Sequence, residues 1–254
     1  MVNAWYNGLL VTLRRPLGHG VEFVANYTFA KSIDDGAVQG NVGTFSGTDV
    51  ILNPANIKQE NGLSELDQRH RFTGSVVWDP FRNLRSNLGR WLLKGFIFSS
   101  IVTETSGQPV QANISGFPSN GVDGGVTGGE INNSAAPAAG RASQIGRNVF
   151  TGPALHNVDF RVLREFPIRE RIRLQFLGEA FNIFNQTNLN LSGNTATTAY
   201  NYVAVGAKGC PASAYAATNS CLIPSPTFMA PSSGTSTNTV YGPRQLQFSA
   251  KLVF

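Results

Sequence analysis

The sequence predicts an all-β protein: an antiparallel up-and-down transmembrane β-barrel fragment of about seven strands with long extracellular loops. Three observations predict this fold. Apolar and polar residues alternate along the last nine residues, 246–254, as they do in a strand between lipid and a polar lumen. Six earlier segments carry the same alternation, more or less strictly. The connections between the seven segments alternate between short and long.

The composition separates this chain from most soluble proteins. Of its 254 residues, 14% are charged, whereas about 25% is typical of soluble globular domains. No apolar run approaches the roughly 18 residues of a transmembrane helix. Barrel strands are short and need an apolar residue only at every second position. The net charge of +5 is not concentrated in a lysine-rich tract or a basic helix, so no nucleic-acid binding is predicted.

The first two predicted strands are joined by a tight turn. Residues 8–14 and 21–30 alternate, and residues 15–20 between them contain one proline and two glycines, which favour turns. The apolar face of the first strand carries Leu9, Val11 and Leu13. The apolar face of the second strand carries Val21, Phe23, Ala25, Tyr27 and Phe29.

The third and fourth predicted strands follow a long stretch, residues 31–67, that lacks sustained alternation. The third strand, residues 69–79, carries Phe72, Val76 and Trp78 on one face. Its other face carries Arg71, Thr73 and Ser75. A short basic connection, residues 80–90, leads to a fourth strand within residues 91–105, whose two faces are too similar to assign from the sequence.

The fifth and sixth predicted strands follow a second long loop, residues 106–153. In the fifth, residues 155–165, apolar Val158, Phe160 and Val162 oppose Asn157, Asp159 and Arg161. The polar face of the sixth is predicted to face the lumen and carries Arg171, Arg173, Gln175 and Glu179. These side chains either line a solute path or contact a plug, or they form an ion-paired ladder with neighbouring strands, which we favour.

A third long loop, residues 182–240, precedes the terminal strand, whose apolar stripe is Leu246, Phe248, Ala250, Leu252 and Phe254. Outer-membrane barrels have short periplasmic turns and long extracellular loops. If the C-terminus is periplasmic, the three long loops all lie outside and the three short turns all lie inside. Aromatic residues near both ends of the strands fit two interfacial girdles. A soluble β-sandwich with core aromatics is the alternative.

Cys210 and Cys221 lie close together in the third long loop without a histidine nearby. This spacing favours a loop disulfide over a zinc site, with two free thiols as the alternative. The three histidines are isolated in sequence, and no nucleophile motif or phosphate-binding glycine loop is present. We therefore expect no enzyme activity, no cofactor and no metal.

Several segments together resemble the C-terminal barrel of TonB-dependent outer-membrane receptors, in particular the Oar-like group with a carboxypeptidase-regulatory-like N-terminal domain. They are residues 8–15 (GLLVTLRR), 26–35 (NYTFAKSIDD), 67–72 (DQRHRF), 105–109 (TSGQP), 179–185 (EAFNIFN) and the terminal strand. The resemblance implies a 22-stranded barrel around a plug, driven through TonB. It also implies that the terminal stripe, including Phe254, is the signal read by the barrel-assembly machinery.

The resemblance covers nearly all of residues 1–254, but seven strands do not make such a barrel. The N-terminus carries no signal-peptide pattern, so we expect either a protein retained inside the cell or a piece of a longer exported chain. The favoured expectation is the C-terminal part of a receptor in the outer membrane of a Gram-negative bacterium, without the plug and earlier strands. Its partners would be lipid, the assembly machinery, the remainder of the receptor, TonB through that remainder, and an unknown solute. The alternative is an autonomous surface-exposed β-protein for binding or adhesion.

Overall fold

The computed structural model describes residues 3–35, 57–83, 93–115, 140–141, 145–169, 172–189, 191, 197–211, 220–230 and 241–254. These residues contain one 3-10 helix, Ile57–Glu60, and fourteen β-strands. The strands are β1 (Ala4–Gly18), β2 (Val21–Asp34), β3 (Gly62–Leu63), β4 (His70–Trp78), β5 (Phe96–Thr105), β6 (Pro109–Val110), β7 (Asn113–Ser115), β8 (Gly140–Arg141), β9 (Phe150–Thr151), β10 (Leu155–Arg169), β11 (Ile172–Phe181), β12 (Thr198–Ala204), β13 (Ser220–Pro224) and β14 (Gln245–Val253).

The seven long strands form one antiparallel sheet in the order β1-β2-β4-β5-β10-β11-β14, and the short β3 pairs with the end of β2. Each long strand therefore lies beside the long strand that precedes it in the chain, as in an up-and-down meander. All seven strands predicted from the sequence are present in this sheet. Among the described residues no helix is long and apolar enough to cross a membrane.

Three strands extend well beyond their predicted bounds: β1, β10, and β2, which continues past residue 30 to Asp34. β1 spans fifteen residues, and only the turn residues His19 and Gly20 separate it from β2. Their φ angles of 54° and 83° are both positive, as a two-residue type I′ hairpin turn requires. A Cβ at Gly20 would lie 2.3 Å from the carbonyl oxygen of Asp79, so this position needs glycine. β10 continues through Pro167 because the register shifts after it, and a bulge tolerates the missing N–H.

The long loops contain strands that the sequence did not predict. β7 and β8 from the second loop and β12 and β13 from the third form a four-stranded sheet in the order β13-β12-β7-β8. Its β7–β12 pair is parallel and joins segments that are more than eighty residues apart in the chain. β6 and β9 form a further short pair within the second loop. We call these described loop residues, together with β3 and the 3-10 helix, the loop cap.

The buried apolar core lies mainly in the loop cap. Six of the seven buried hydrophobic residues belong to it: Val110, Ala112, Ile114, Ala199, Cys210 and Cys221. The large sheet has little such core. Many of its large apolar side chains are exposed, among them Leu9, Phe29 and Phe248, and others, such as Phe23 and Phe160, are half-buried. A protein stabilised in water buries these side chains, whereas a membrane barrel presents them to lipid.

The large sheet is open within the described residues. β1 and β14 are the two ends of its strand order and do not pair with each other. Because six antiparallel pairings separate them, β1 and β14 run in the same direction.

Candidate functional site: two sheet faces and a loop cap

The register of the large sheet brings the alternating apolar positions of all seven strands onto one face, which we call the apolar face. One row across it runs through Phe23, Val76, Ser100, Phe160 and Ala180 to Leu246. Directly paired residues of an antiparallel sheet point to the same side, so these rows form a continuous surface. The same register resolves the fourth strand, whose Phe96, Phe98 and Val102 lie on the apolar face.

Aromatic rings border the apolar face at both ends. At the short-turn end the rings of Trp78 and Phe98 are 5.8 Å apart, and those of Phe166 and Phe176 are 5.9 Å apart. At the long-loop end Phe29 packs beside His70, whose ring nitrogen Nδ1 lies 2.8 Å from the hydroxyl of Tyr27. Trp91, which follows the second short connection in the sequence and was expected to belong to the same girdle, lies outside the described residues. Two rings of aromatic side chains separated by an apolar band are typical of a barrel wall.

The terminal strand lies at the edge of this face. Leu246, Phe248, Ala250 and Leu252 face Ala180, Gly178, Phe176 and Leu174 of β11 in turn. Phe248 is 81% exposed and Phe254, just beyond the strand, is 94% exposed. The side chains of the predicted assembly signal are therefore accessible. Their recognition by the assembly machinery stays a prediction.

The opposite face carries the polar side chains of the same strands, and we call it the polar face. Arg161 and Glu179 lie 3.7 Å apart across β10 and β11. Glu165 lies 3.4 Å from Arg173 and accepts a hydrogen bond of 2.8 Å from Gln175. Three of the four residues predicted to face the lumen thus pair with β10, and the fourth, Arg171, lies outside the described residues.

Apolar residues interrupt the polar face. Leu163 lies between Ile97 and Leu177 in the register, and Ile101 lies opposite Asp159. Because Ile97 and Ile101 are apolar residues on the polar face, both faces of β5 carry apolar side chains. The sequence alone therefore did not distinguish them. Only the pairing with β4 and β10 assigns them.

A buried arginine connects two long loops in the loop cap. Arg147 is 6% exposed. It forms an ion pair with the Asp34 carboxylate, and its Nη1 also donates to the backbone carbonyls of Asp34 (3.0 Å) and Glu60 (3.1 Å). The adjacent Asn148 donates from its side chain to the carbonyl of Leu63 at 2.7 Å. Residues 147 and 148 therefore hold the second loop against the first.

Two segments of the family resemblance, residues 67–72 and 179–185, fix the loops at the long-loop ends of the strands. The buried Asn182 has a positive φ of 50° and donates from its side chain to the carbonyls of Gln186 (2.9 Å) and Gly242 (3.0 Å). Asn tolerates this left-handed conformation better than most residues. Similarly, the Asp67 carboxylate accepts a 2.6 Å hydrogen bond from the backbone of Ser32. These motif residues have structural roles at the strand ends.

Cys210 and Cys221 are joined by a disulfide. Cys221 lies on β13 opposite Val203 of β12, and Cys210 lies in the turn segment after β12. Both cysteines are buried, so the bond lies in the core of the loop cap. Within the described part of the chain there is no group of three or more His, Cys, Asp or Glu side chains placed to hold a metal ion.

Replacing Arg147 with Met is expected to open the loop cap. The substitution removes the buried ion pair between Arg147 and Asp34, and removing one member of a buried pair costs about 3 to 5 kcal/mol. At about 3 kcal/mol, the opened form would become roughly a hundredfold more populated. Limited proteolysis of the membrane-inserted protein measures this as faster cleavage within residues 57–63 and 145–151.

The matched control is Lys58→Met, which removes the same charge from an exposed position in the same cap. It is expected to leave the cleavage rate unchanged. Equal acceleration in both variants would mean that overall charge, not the Arg147 contacts, holds the loops together.

The comparison with protein families agrees with this geometry. The family described as outer membrane beta barrel domain matches residues 1–247. No curated protein and no solved structure matches the chain. The predicted all-β, antiparallel outer-membrane fold and the outer-membrane location are confirmed. The chain belongs to the outer membrane beta barrel domain family and is an outer-membrane protein of a Gram-negative bacterium.

Proposed function

We propose that the chain forms the C-terminal part of the wall of a TonB-dependent receptor that takes up a solute, with no catalytic role. The observation that carries this proposal is the open seven-stranded meander with β1 and β14 running in the same direction. Bacterial single-chain barrels have an even number of antiparallel strands. Pairing β1 with β14 would give an odd number and one parallel seam, so an odd number of additional strands is required between them.

A 22-stranded transporter barrel meets this requirement, because it would supply fifteen further strands to the seven described here. The segments that resemble the Oar-like receptors support the same assignment. In this arrangement the polar face, with its Arg161–Glu179 and Arg173–Glu165 pairs, faces the lumen and the plug. The long loops contribute to solute binding, and TonB acts through the remainder of the receptor.

A second candidate is an autonomous surface-exposed protein for binding or adhesion, in which several copies complete one barrel. It is favoured by the loop cap, which has its own four-stranded sheet, a buried core and a disulfide. A packed cap of this kind offers a rigid surface to a partner. The multi-copy barrel does not explain one feature, however. Where β14 of one copy met β1 of the next, the two strands would pair in parallel.

The DNA directly upstream of the Met1 codon tests the proposal. We expect an open reading frame in phase with the chain that encodes a plug domain and a TonB-binding segment. A stop codon and a promoter at that place would contradict the receptor and favour the autonomous protein. As a biochemical check, the polypeptide that carries this chain, solubilised from outer membranes, is expected to bind the purified periplasmic domain of TonB.

A further inference from the structure

The apolar face carries two arginines: Arg15 of β1, which lies opposite Phe23, and Arg164 of β10. Arg164 of β10 lies opposite Phe96 of β5 and Phe176 of β11 in the register, so its side chain shares the face of Val162 and Phe166. Its neighbour Glu165 points to the polar face, where it pairs with Arg173. An arginine on the lipid face costs about 2 to 4 kcal/mol at the membrane midplane but only about 0 to 1 near the interfaces. Phe166, two residues further along β10, borders the apolar face at the short-turn end, so the cost for Arg164 lies between these limits.

Two phenylalanine rings fix the orientation of this arginine. The guanidinium carbon lies 4.5 Å from the ring centre of Phe96 and 4.4 Å from that of Phe166. Cation–π contacts at these distances hold the planar guanidinium. A stacked guanidinium still directs its N–H donors along its own plane, in the geometry that suits the oxygens of a phosphate.

A groove extends from Arg164 along the apolar face. Its volume is about 690 Å³, and its lining includes Val162, Phe176, Gly178, Phe248 and Ala250. Gly178 lies between Val162 and Phe248 in the register, and the ring of Phe248 lies 3.4 Å from the place that a Cβ of residue 178 would take. The cation thus lies towards the short-turn end, and the apolar lining continues towards the middle of the sheet. A phospholipid of the adjacent leaflet has its phosphate and its acyl chain arranged in the same order.

We propose that Arg164 and this groove form a binding site for an anionic phospholipid, with the phosphate on the guanidinium and one acyl chain along Gly178. The site rests on the outer-membrane location of the chain and not on transport. Its test uses neither a solute nor an energy source, so its failure and the failure of the receptor proposal are distinguishable.

The test measures the lipid selectivity of the folded barrel that contains the chain, reconstituted in phosphatidylcholine membranes. Phosphatidylglycerol and phosphatidylcholine with spin-labelled acyl chains are the probes. One cation near a membrane surface attracts an anionic lipid by a free energy that corresponds to about a fivefold preference. We expect this preference in the unmodified protein and a clearly lower ratio in Arg164→Gln, in which Arg15 is the remaining arginine of the apolar face. Arg161→Gln, which removes a charge from the polar face three residues away, is the matched control and is expected to keep the preference.

A second variant tests the groove separately. Gly178→Leu adds a side chain to the lining beside the Phe248 ring and leaves the cation in place, so it is expected to reduce the motionally restricted phosphatidylglycerol. Heat-modifiable gel mobility confirms that each variant is folded. A ratio that stays near five in Arg164→Gln, or falls equally in Arg161→Gln, would overturn the proposal. If the motionally restricted fraction of phosphatidylglycerol is unchanged in Gly178→Leu, the groove is not part of the binding site.

Discussion

The chain on its own is expected to aggregate or form oligomers in detergent or lipid and not to give a stable seven-stranded monomer. The outer edges of β1 and β14 carry backbone N–H and C=O groups that no described strand accepts. In hydrocarbon each such group costs several kcal/mol. Since β1 has fifteen residues and β14 has nine, the summed cost exceeds the roughly 5 to 15 kcal/mol by which a domain is stable.

Light scattering after size-exclusion chromatography measures this result as a mass above that of one chain. Hydrogen exchange supplies an internal control, because the central strands β4 and β5 have neighbours on both sides. Their amides are expected to exchange slowly in any folded fraction, and alternate amides of β1 and β14 to exchange fast. A single species with the mass of one chain and slow exchange throughout β1 and β14 would contradict the expectation and indicate closure of the chain on itself.

A charge on the apolar face is expected to destabilise the folded protein far more than the same charge on the polar face. Val76 of β4 lies between Phe23 and Ser100 in the register, on the apolar face. Arginine at a lipid-facing position near the midplane costs about 2 to 4 kcal/mol. Val76→Arg should therefore lower the free energy of unfolding in lipid vesicles by up to about this amount, because Val76 lies two residues from Trp78 at the short-turn end. Denaturant titration, with heat-modifiable mobility as the readout, measures this change.

The neighbouring Ser75→Arg is the matched control. Ser75 and Val76 are both exposed and lie in the same strand, but Ser75 belongs to the polar face, opposite Val24 and Ile101. Its replacement is expected to change the free energy of unfolding little, because a polar lumen solvates the guanidinium. Similar losses in both variants would mean that the apolar face does not contact lipid. If the chain folds only with further strands, the same pair is compared in the assembled barrel.

The strands of the large sheet were predictable because a two-residue period is a local property. In β2, apolar and polar residues alternate from Val21 to Phe29 except at Val24, and any partner strand has to respect that division. The predicted bounds fell short at β1 because residues 15–18 contain a proline and a glycine, which suggested an early turn. The structure instead ends β1 at Gly18 with a two-residue turn.

The loop cap was not predictable, since its contacts join distant residues. Nothing near Arg147 in the sequence indicates Asp34, which is 113 residues away. The parallel pairing of Asn113 with Thr198 likewise leaves no periodic pattern, because β7 has only three residues. Arg164 was missed for a different reason. In the sequence it is a single charged residue among the apolar positions of β10, and only the structure shows the rings of Phe96 and Phe166 beside it.

The sequence by itself determined the all-β class, the seven long strands and the division of most of them into an apolar and a polar face. These follow from the alternation of side chains along a strand, which needs no knowledge of distant residues. The tertiary structure alone decided the faces of β5, the loop cap and the groove beside Arg164. Each of these depends on which strand lies next to which and in what register, and a one-residue change of register would move every side chain to the other face.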